Sequence, residues 1–224
     1  MGVIVAVDGP AGSGKSSVSR AAAVELGYAF LDTGAAYRAL AWSVLEHGGD
    51  PEDAGDVERA LDGFAFTSAD DPAERWVRVG DVDVTEAIRT PRVTAAVSGI
   101  ARVPAVRARL NDGFRARLAA AEPGVVAEGR DITTVVAPHA DVRVLLTASP
   151  EVRASRRARE LPEEDHGAVA RSIAERDAKD SRVVDFLEAA EGVTTLDSTD
   201  LDFAGTVGAL VALVRQAAGL EPVS

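Results

Sequence analysis

Val3-Ile4-Val5-Ala6-Val7-Asp8-Gly9-Pro10-Ala11-Gly12-Ser13-Gly14-Lys15-Ser16 decides the fold. The run from Val3 to Val7 is apolar and mostly β-branched, the pattern of a parallel strand buried on both faces. Asp8-Gly9-Pro10 ends it, and the spacing predicts a helix from Lys15 to about Leu26, closed by Gly27. Between strand and helix, Gly9 through Ser16 matches G-x-x-x-x-G-K-[ST] without exception. Each residue type has a physical reason. Glycines let successive backbone N–H groups turn inward and cradle phosphate oxygens. The helix N-terminus adds partial positive charge. Lys15 is placed to reach the β- and γ-phosphates of a nucleoside triphosphate, and the Ser16 hydroxyl to ligate Mg²⁺. An ordinary strand-to-helix turn would explain the glycines but not Lys-Ser at that offset.

Outward from this loop, further strands are predicted at 28–31, 124–128, 142–147 and 193–197, with 3–8 as the first. Helices are expected at 33–47, 51–61, 85–101, 104–121, 150–160, 167–180 and 203–218. Strands alternating with helices imply an α/β fold with a five-stranded parallel sheet. Short alternating segments at 64–66, 76–79 and 82–84 break the pattern and read as a small antiparallel sheet inserted into it. No repeat, low-complexity tract or interdomain linker is visible, so the expectation is one domain.

Composition prunes the chemistry. The chain has 224 residues, no Cys and three His. Thiolate metal sites, disulfides and Cys nucleophiles are excluded, and a His-based metal site is disfavoured. The net charge of -12 argues against a nucleic-acid partner. The N-terminal apolar run is too short to span a bilayer and lacks a basic leader, so the expectation is a cytoplasmic chain without a membrane partner. The charge is uneven: residues 48–86 carry 12 acidic and 3 basic side chains, whereas 87–118 carry 1 and 7. Lys occurs only at Lys15 and Lys179, the rest of the basic side chains being Arg. Asn111 and Gln216 are the single Asn and Gln. A guanine-reading Asn-Lys-x-Asp motif is therefore absent, as is a Gln placed to position an attacking water.

After the second strand, Asp32-Thr33-Gly34-Ala35-Ala36-Tyr37-Arg38 puts Thr33 at a helix start, as its capping residue, with Arg38 on the first turns. Glu128-Gly129-Arg130-Asp131-Ile132-Thr133-Thr134-Val135-Val136 follows a buried strand at the carboxyl end of the sheet, where α/β proteins bind ligands. Glu175-Arg176-Asp177 and Lys179-Asp180-Ser181-Arg182 complete the pattern. Together with the phosphate loop, these blocks span almost the whole chain. In this order, and with Glu86-Ala87-Ile88-Arg89-Thr90 and the inserted sheet, the chain resembles the bacterial cytidylate kinases, a family of P-loop nucleoside monophosphate kinases.

The resemblance implies roles at matching positions. Gly9, Pro10, Ala11, Gly12, Ser13, Gly14, Lys15, Ser16 and Ser17 would bind ATP, with Ser16 on Mg²⁺. Thr33, Arg38, Arg130 and Arg182 would surround the CMP phosphate, with Tyr37 also in the CMP site. Ser98, Arg107 and Asp131 would read cytosine, and Arg176 and Asp180 would hold the ribose. Arg153, Arg156 and Arg157 would belong to a short lid over ATP and act in catalysis with Lys15. The resemblance divides the chain into a core (about 1–32, 122–149 and 168–224), a nucleotide-binding region (about 33–121) and a lid (about 150–167). Two departures stand out: Arg182 follows Asp180 by two residues where the family pattern suggests three, and Val183-Val184-Asp185-Phe186-Leu187 replaces a more usual Ala-Val-x-Pro-Leu.

The side-chain chemistry stands beside the resemblance. Cytosine offers a 4-amino donor and two acceptors, which suit a carboxylate such as Asp131 and donors such as Arg107 and Ser98. Arg153, Arg156 and Arg157 at i, i+3 and i+4 share a helix face. Their bland reading is an exposed, salt-bridged surface; for Arg130-Asp131 it is a structural ion pair. The expected reaction is ATP-dependent phosphorylation of CMP and dCMP by a monomer. The alternatives are a P-loop kinase acting on UMP or a small metabolite, and a nucleotide-binding module without catalysis.

Overall fold

The computed structural model describes residues 2–160, 177–178 and 187–219. β1 (Val3–Asp8) leads through the phosphate loop into α1 (Lys15–Leu26), and β2 (Ala29–Asp32) into α2 (Thr33–Glu46) and α3 (Ala54–Asp62). Three short strands, β3 (Phe66–Ser68), β4 (Val77–Val79) and β5 (Val82–Asp83), precede α4 (Pro91–Ala101) and α5 (Pro104–Ala120). β6 (Gly124–Gly129), β7 (Val142–Thr147), α6 (Pro150–Glu160), β8 (Thr194–Asp197) and α7 (Phe203–Ala217) follow.

The principal sheet has five parallel strands in the order β2-β6-β1-β7-β8. Alternation along the strands splits the core in two. Ala6, Val125 and Ala127 face one side, against Leu40 of α2, Ile100 of α4 and Val106 of α5. Val5, Val7, Val126, Val144 and Leu146 face the other, against Val18 and Ala22 of α1 and Leu210 and Val214 of α7. Both faces of β1 and β6 are covered, so these strands are apolar almost throughout. The register sets Asp8 beside Gly129 and Val7 beside Glu128, which brings two carboxyl-bearing strand ends up to the phosphate loop. The antiparallel sheet β3-β4-β5 sits apart, packing Val77 against Ala35 and Ala39 of α2.

Several boundaries differ from those expected. Thr33 is not the cap of α2; Asp32 is, its side chain accepting from Ala35 N at 2.9 Å. The expected helix 85–101 is broken into a 3₁₀ turn (Ala87–Arg89) and α4. Pro91 disfavours helical backbone at the preceding residue, and Thr90 is extended (φ -62°, ψ 150°) and caps the new helix. The first small strand begins at Phe66 rather than Phe64, because Phe64 N–H is spent on a turn to Leu61 O at 3.1 Å. The helix expected at 51–61 starts at Ala54, capped by Asp53. A turn of π-helix over Ile132–Val136 had no counterpart among the expected elements. The expected lid loop at 161–167 and the helix 167–180, apart from 177–178, lie outside the described residues.

Candidate functional site

The N-terminus of α1 is left open to a ligand. Its cap, Gly14, is left-handed (φ 84°) and offers no side-chain acceptor to the first-turn N–H groups. Gly9 has a different reason to be glycine: a Cβ there would lie 2.2 Å from Leu146 O of the neighbouring strand. The floor of the site is Glu128, at the end of a wholly buried strand. Ser16 Oγ donates to Glu128 Oε1 at 2.6 Å, and Lys15 Nζ lies 4.0 Å from Glu128 Oε2.

Burial, with a further push from Asp32, raises the Glu128 carboxyl from its ordinary 4.5 to about 7; Lys15, Ser16 and Arg38 oppose the rise. The folded chain thus holds this proton in a pH range where the unfolded chain has lost it. Stability contributed by this group falls as pH rises from about 4.5 to about 7. In Glu128→Gln that component should vanish from the pH dependence of the thermal midpoint, measured by calorimetry without ligands. An unchanged profile would contradict the raised value.

Asp8, also buried, accepts from Ile132 N and Thr133 N, both at 2.8 Å, and from Thr133 Oγ1 at 2.6 Å. Desolvation raises its pKa, partly offset by those three hydrogen bonds. This carboxylate fixes the start of the π-turn and so the exit of Arg130-Asp131 from the sheet.

One pocket gathers most of the expected acceptor residues: Thr33, Tyr37, Arg38, Ser98, Arg107, Arg130 and Asp131 line it together with Lys15 and Ser16. Thr33 and Tyr37, four apart, share a face of α2, as do Gly34 and Arg38. Thr33 Oγ1 donates to Glu128 O at 2.8 Å. Arg107 Nη2 pairs with Asp131 Oδ2 at 2.5 Å, so Asp131 is bound to Arg107 rather than to its neighbour Arg130. Tyr37 OH is buried with no hydrogen-bond partner among the described residues, and burial, with Asp131 nearby, pushes its pKa up to about 12. It therefore remains a neutral donor at any physiological pH.

Arg130 Nη1 donates to Gly9 O at 2.8 Å and to Asp177 Oδ1 at 3.4 Å. Arg153 Nη1 donates to Ala11 O at 3.0 Å and to Asp177 Oδ2 at 2.5 Å, and Ala11 N donates to Asp177 Oδ1 at 3.0 Å. Asp177 thus joins the acceptor side, the phosphate loop and α6. Arg156 lies on the same side of α6, clamping Ser13 O to Ser198 and Leu201 by hydrogen bonds of 2.9–3.2 Å. This bonding differs from a merely exposed, salt-bridged surface. Arg157 is half-buried on that helix, and Ser17 is exposed beside the loop. Arg176, Asp180 and Arg182 lie outside the described residues.

Glu128, Asp8 and Asp177 had been assigned no role from sequence. The available signal was a carboxylate placed where a buried strand has no use for one, as in Gly124-Val125-Val126-Ala127-Glu128. Among the described residues no cluster of three or more His, Cys, Asp or Glu could hold a metal ion. Mg²⁺ does not require one, since it typically keeps waters and takes one or two carboxylates beside substrate phosphates.

The chain is similar to known proteins over nearly its whole length. A sequence profile described as cytidylate kinase matches residues 5–216. A cytidylate kinase of Cutibacterium acnes is 48% identical, covering 95% of this chain and 96% of its own length. One from Streptomyces avermitilis is 41% identical, covering 96% and 93%. Among solved structures, a gluconokinase from Sinorhizobium meliloti superposes over 97% of this chain and 94% of its own with a TM-score of 0.51 at 18% identity, a likeness of fold alone.

Proposed function

The chain belongs to the cytidylate kinase family, and on that premise we propose that it transfers the γ-phosphoryl group of ATP to CMP or dCMP, giving ADP and CDP or dCDP. The observation that carries the reading is the shared pocket: the donor-side Lys15 and Ser16 line the same wall as Arg38, Arg107, Arg130 and Asp131. A nucleoside monophosphate seated there meets the end of the triphosphate.

The division of labour follows from the side chains. The Gly9–Ser17 backbone holds the β- and γ-phosphates, and Lys15 neutralises charge on the moving group. Ser16 and Glu128 would hold Mg²⁺, which supplies charge neutralisation at the phosphates when bound. Arg38 and Arg130 hold the acceptor phosphate; Arg38 makes no hydrogen bond to a described residue and is free to do so. That phosphate has a second pKa near 6 and is already mostly dianionic at neutral pH. No general base is required, which fits a pocket without His. Asp131 Oδ1, the oxygen Arg107 leaves open, accepts the cytosine 4-amino group, and Ser98 and Arg107 donate to the ring acceptors. Arg153 Nε, buried with no hydrogen-bond partner among the described residues, is the lid-side donor for the transferring group. Arg156 and Arg157 hold α6 over the loop, and Arg176, Asp180 and Arg182 complete the ribose and phosphate contacts. In this reading the core, nucleotide-binding region and lid are those the family resemblance implies, and the chain works as a cytoplasmic monomer on free nucleotides. The net charge of -12 supports the exclusion of nucleic acid, and no helix among the described residues is long and apolar enough to cross a membrane.

The test is ADP release measured with ATP against CMP, dCMP, UMP, AMP, GMP and shikimate. CMP and dCMP should be strongly preferred. A preference for another acceptor would move the assignment to a different P-loop kinase, and no acceptor-dependent ADP release would favour a binding module. In Asp131→Ala the KM for CMP should rise by about 10²-fold or more while the KM for ATP moves little, since a buried hydrogen-bonding partner is lost on one side only. Equal effects on both would make Asp131 structural.

A further inference from the structure

Aromatic side chains are scarce in this chain: six Phe, two Trp and two Tyr in 224 residues. Four of them, Phe64, Phe66, Trp76 and Phe114, converge on one cleft between the small sheet and α5, away from the acceptor pocket. Phe64 and Phe66 stack with ring centroids 6.1 Å apart, and both, like Trp76, are only half-buried. The cleft holds about 530 Å³, within the usual ~300–1,000 Å³ of small-molecule sites. Half-exposed rings around an open space leave apolar surface in water, which a planar ligand would cover.

Two arginines reach the cleft, and they differ. Arg117 is held by Asp70 and by Ser68 Oγ, so its charge is compensated. Arg109 is exposed and makes no hydrogen bond or ion pair with a described residue. One turn beyond Arg109 on the same helix face, Gly113 also lines the cleft. Glycine inside a helix is less stable than alanine, yet no neighbour demands it here: an added Cβ would meet nothing within 4 Å. The missing side chain leaves the space open beside the uncompensated guanidinium.

We infer that this cleft is a second ligand site, for a planar aromatic anion whose ring lies against Phe64, Phe66 and Trp76 and whose charge meets Arg109. Carboxylate and phosphate both satisfy that chemistry. One ring contact links the site to the acceptor pocket. Phe114 at its base has its ring centroid 6.4 Å from that of Tyr37, which lines the acceptor pocket, and α5 also carries Arg107. Occupation of the cleft therefore shifts CMP affinity, a consequence that rests on the proposed function, whereas the site itself does not.

Isothermal titration of the full chain with 1-naphthyl phosphate and with 1-naphthoate tests the site, with CMP and a non-hydrolysable ATP analogue saturating the other pocket. Inorganic phosphate and 1-naphthalenemethanol serve as ringless and uncharged controls. One naphthyl anion should bind per chain, the alcohol about tenfold more weakly for want of a charge-assisted bond, and inorganic phosphate not at all. Binding of one anion and not the other identifies which group Arg109 takes. Gly113→Leu should abolish binding without lowering the thermal midpoint, and Arg109→Ala should erase the preference for the anion over the alcohol. Neither residue lies in the acceptor pocket, so probe-free kinase activity should be unchanged in both variants. No saturable binding, or binding undiminished in Gly113→Leu, overturns the site; a CMP affinity indifferent to the probe overturns the coupling. A chain inactive on CMP would instead sink the proposed function and leave the titration to judge the cleft.

Discussion

Lys15→Ala should reduce CMP phosphorylation by about 10³-fold or more while the fold survives. The ammonium serves a charge that exists only when a triphosphate is bound, and removing such a group typically costs about 10²–10³ in turnover even when others remain. Lys15 Nζ lies 4.0 Å from Glu128 Oε2, too long for a strong pair. The thermal midpoint should be least affected below neutrality, where Glu128 answers the loss of its counter-charge by keeping its proton. Lys15→Arg should not restore the rate. A planar fork needs more room than a compact ammonium at the mouth of a loop whose α1 cap is a left-handed glycine. Near-normal turnover of the alanine variant, with the fold verified by circular dichroism, would remove the phosphate loop from the mechanism.

What could be read from sequence, and what could not, divides by the range of the interaction. The inner sheet strands were legible because a strand covered on both faces has no polar alternation to maintain, and Val3 to Val7 and Val142 to Leu146 announce themselves. The phosphate loop was legible because its glycines and Lys15 are consecutive in the chain. Local competition was less so. Asp32 and Thr33 are both capable caps, and which one serves depends on where β2 releases the chain at Asp32, beside Glu128 of β6. Thr90-Pro91 carried a visible break, but apolar periodicity on both sides masked it. Long-range ion pairs were not legible at all. Arg130 and Asp131 are adjacent in sequence, yet Asp131 pairs with Arg107 and Arg130 with Asp177, 47 positions away. Which acid an arginine finds is a property of the packed sheet, not of its neighbours.

The same distinction explains how a strongly acidic chain handles phosphates. Its net charge of -12 sums over a surface, whereas the pocket's field is set by Lys15, Arg38, Arg107 and Arg130 within a few ångströms. Acidic side chains enter the site only where each has a cationic or N–H partner. Asp131 has Arg107, Glu128 has Lys15 and Ser16, and Asp8 has the amides of the π-turn. Global acidity then hinders polyanions that must lie along the surface, without hindering a single nucleotide that enters the pocket.

Asp177 is where these pairings converge, and its loss should be the most damaging change outside the phosphate loop. Its two oxygens take Ala11 N, Arg130 Nη1 and Arg153 Nη1, and the residue is 5% exposed. In Asp177→Ala two largely buried guanidinium groups lose their counter-charge, a change that typically costs about 3–5 kcal/mol when one partner of a buried pair is removed. Misplacement of both arginines should lower turnover by about 10²-fold. Asp177→Asn separates shape from charge: an amide of the same size keeps an acceptor for one donor but leaves both guanidinium groups without a counter-charge, so it should recover only part of the stability and not the rate. Arg130 and Arg153 meet at Asp177, one on each carboxylate oxygen, so this carboxylate can couple them. A double-mutant cycle on Arg130→Ala and Arg153→Ala should show non-additive losses in kcat/KM in the wild-type chain and additive ones in Asp177→Asn. Additive losses in both backgrounds would mean that the two arginines act independently and that Asp177 serves only to hold α6 against the loop.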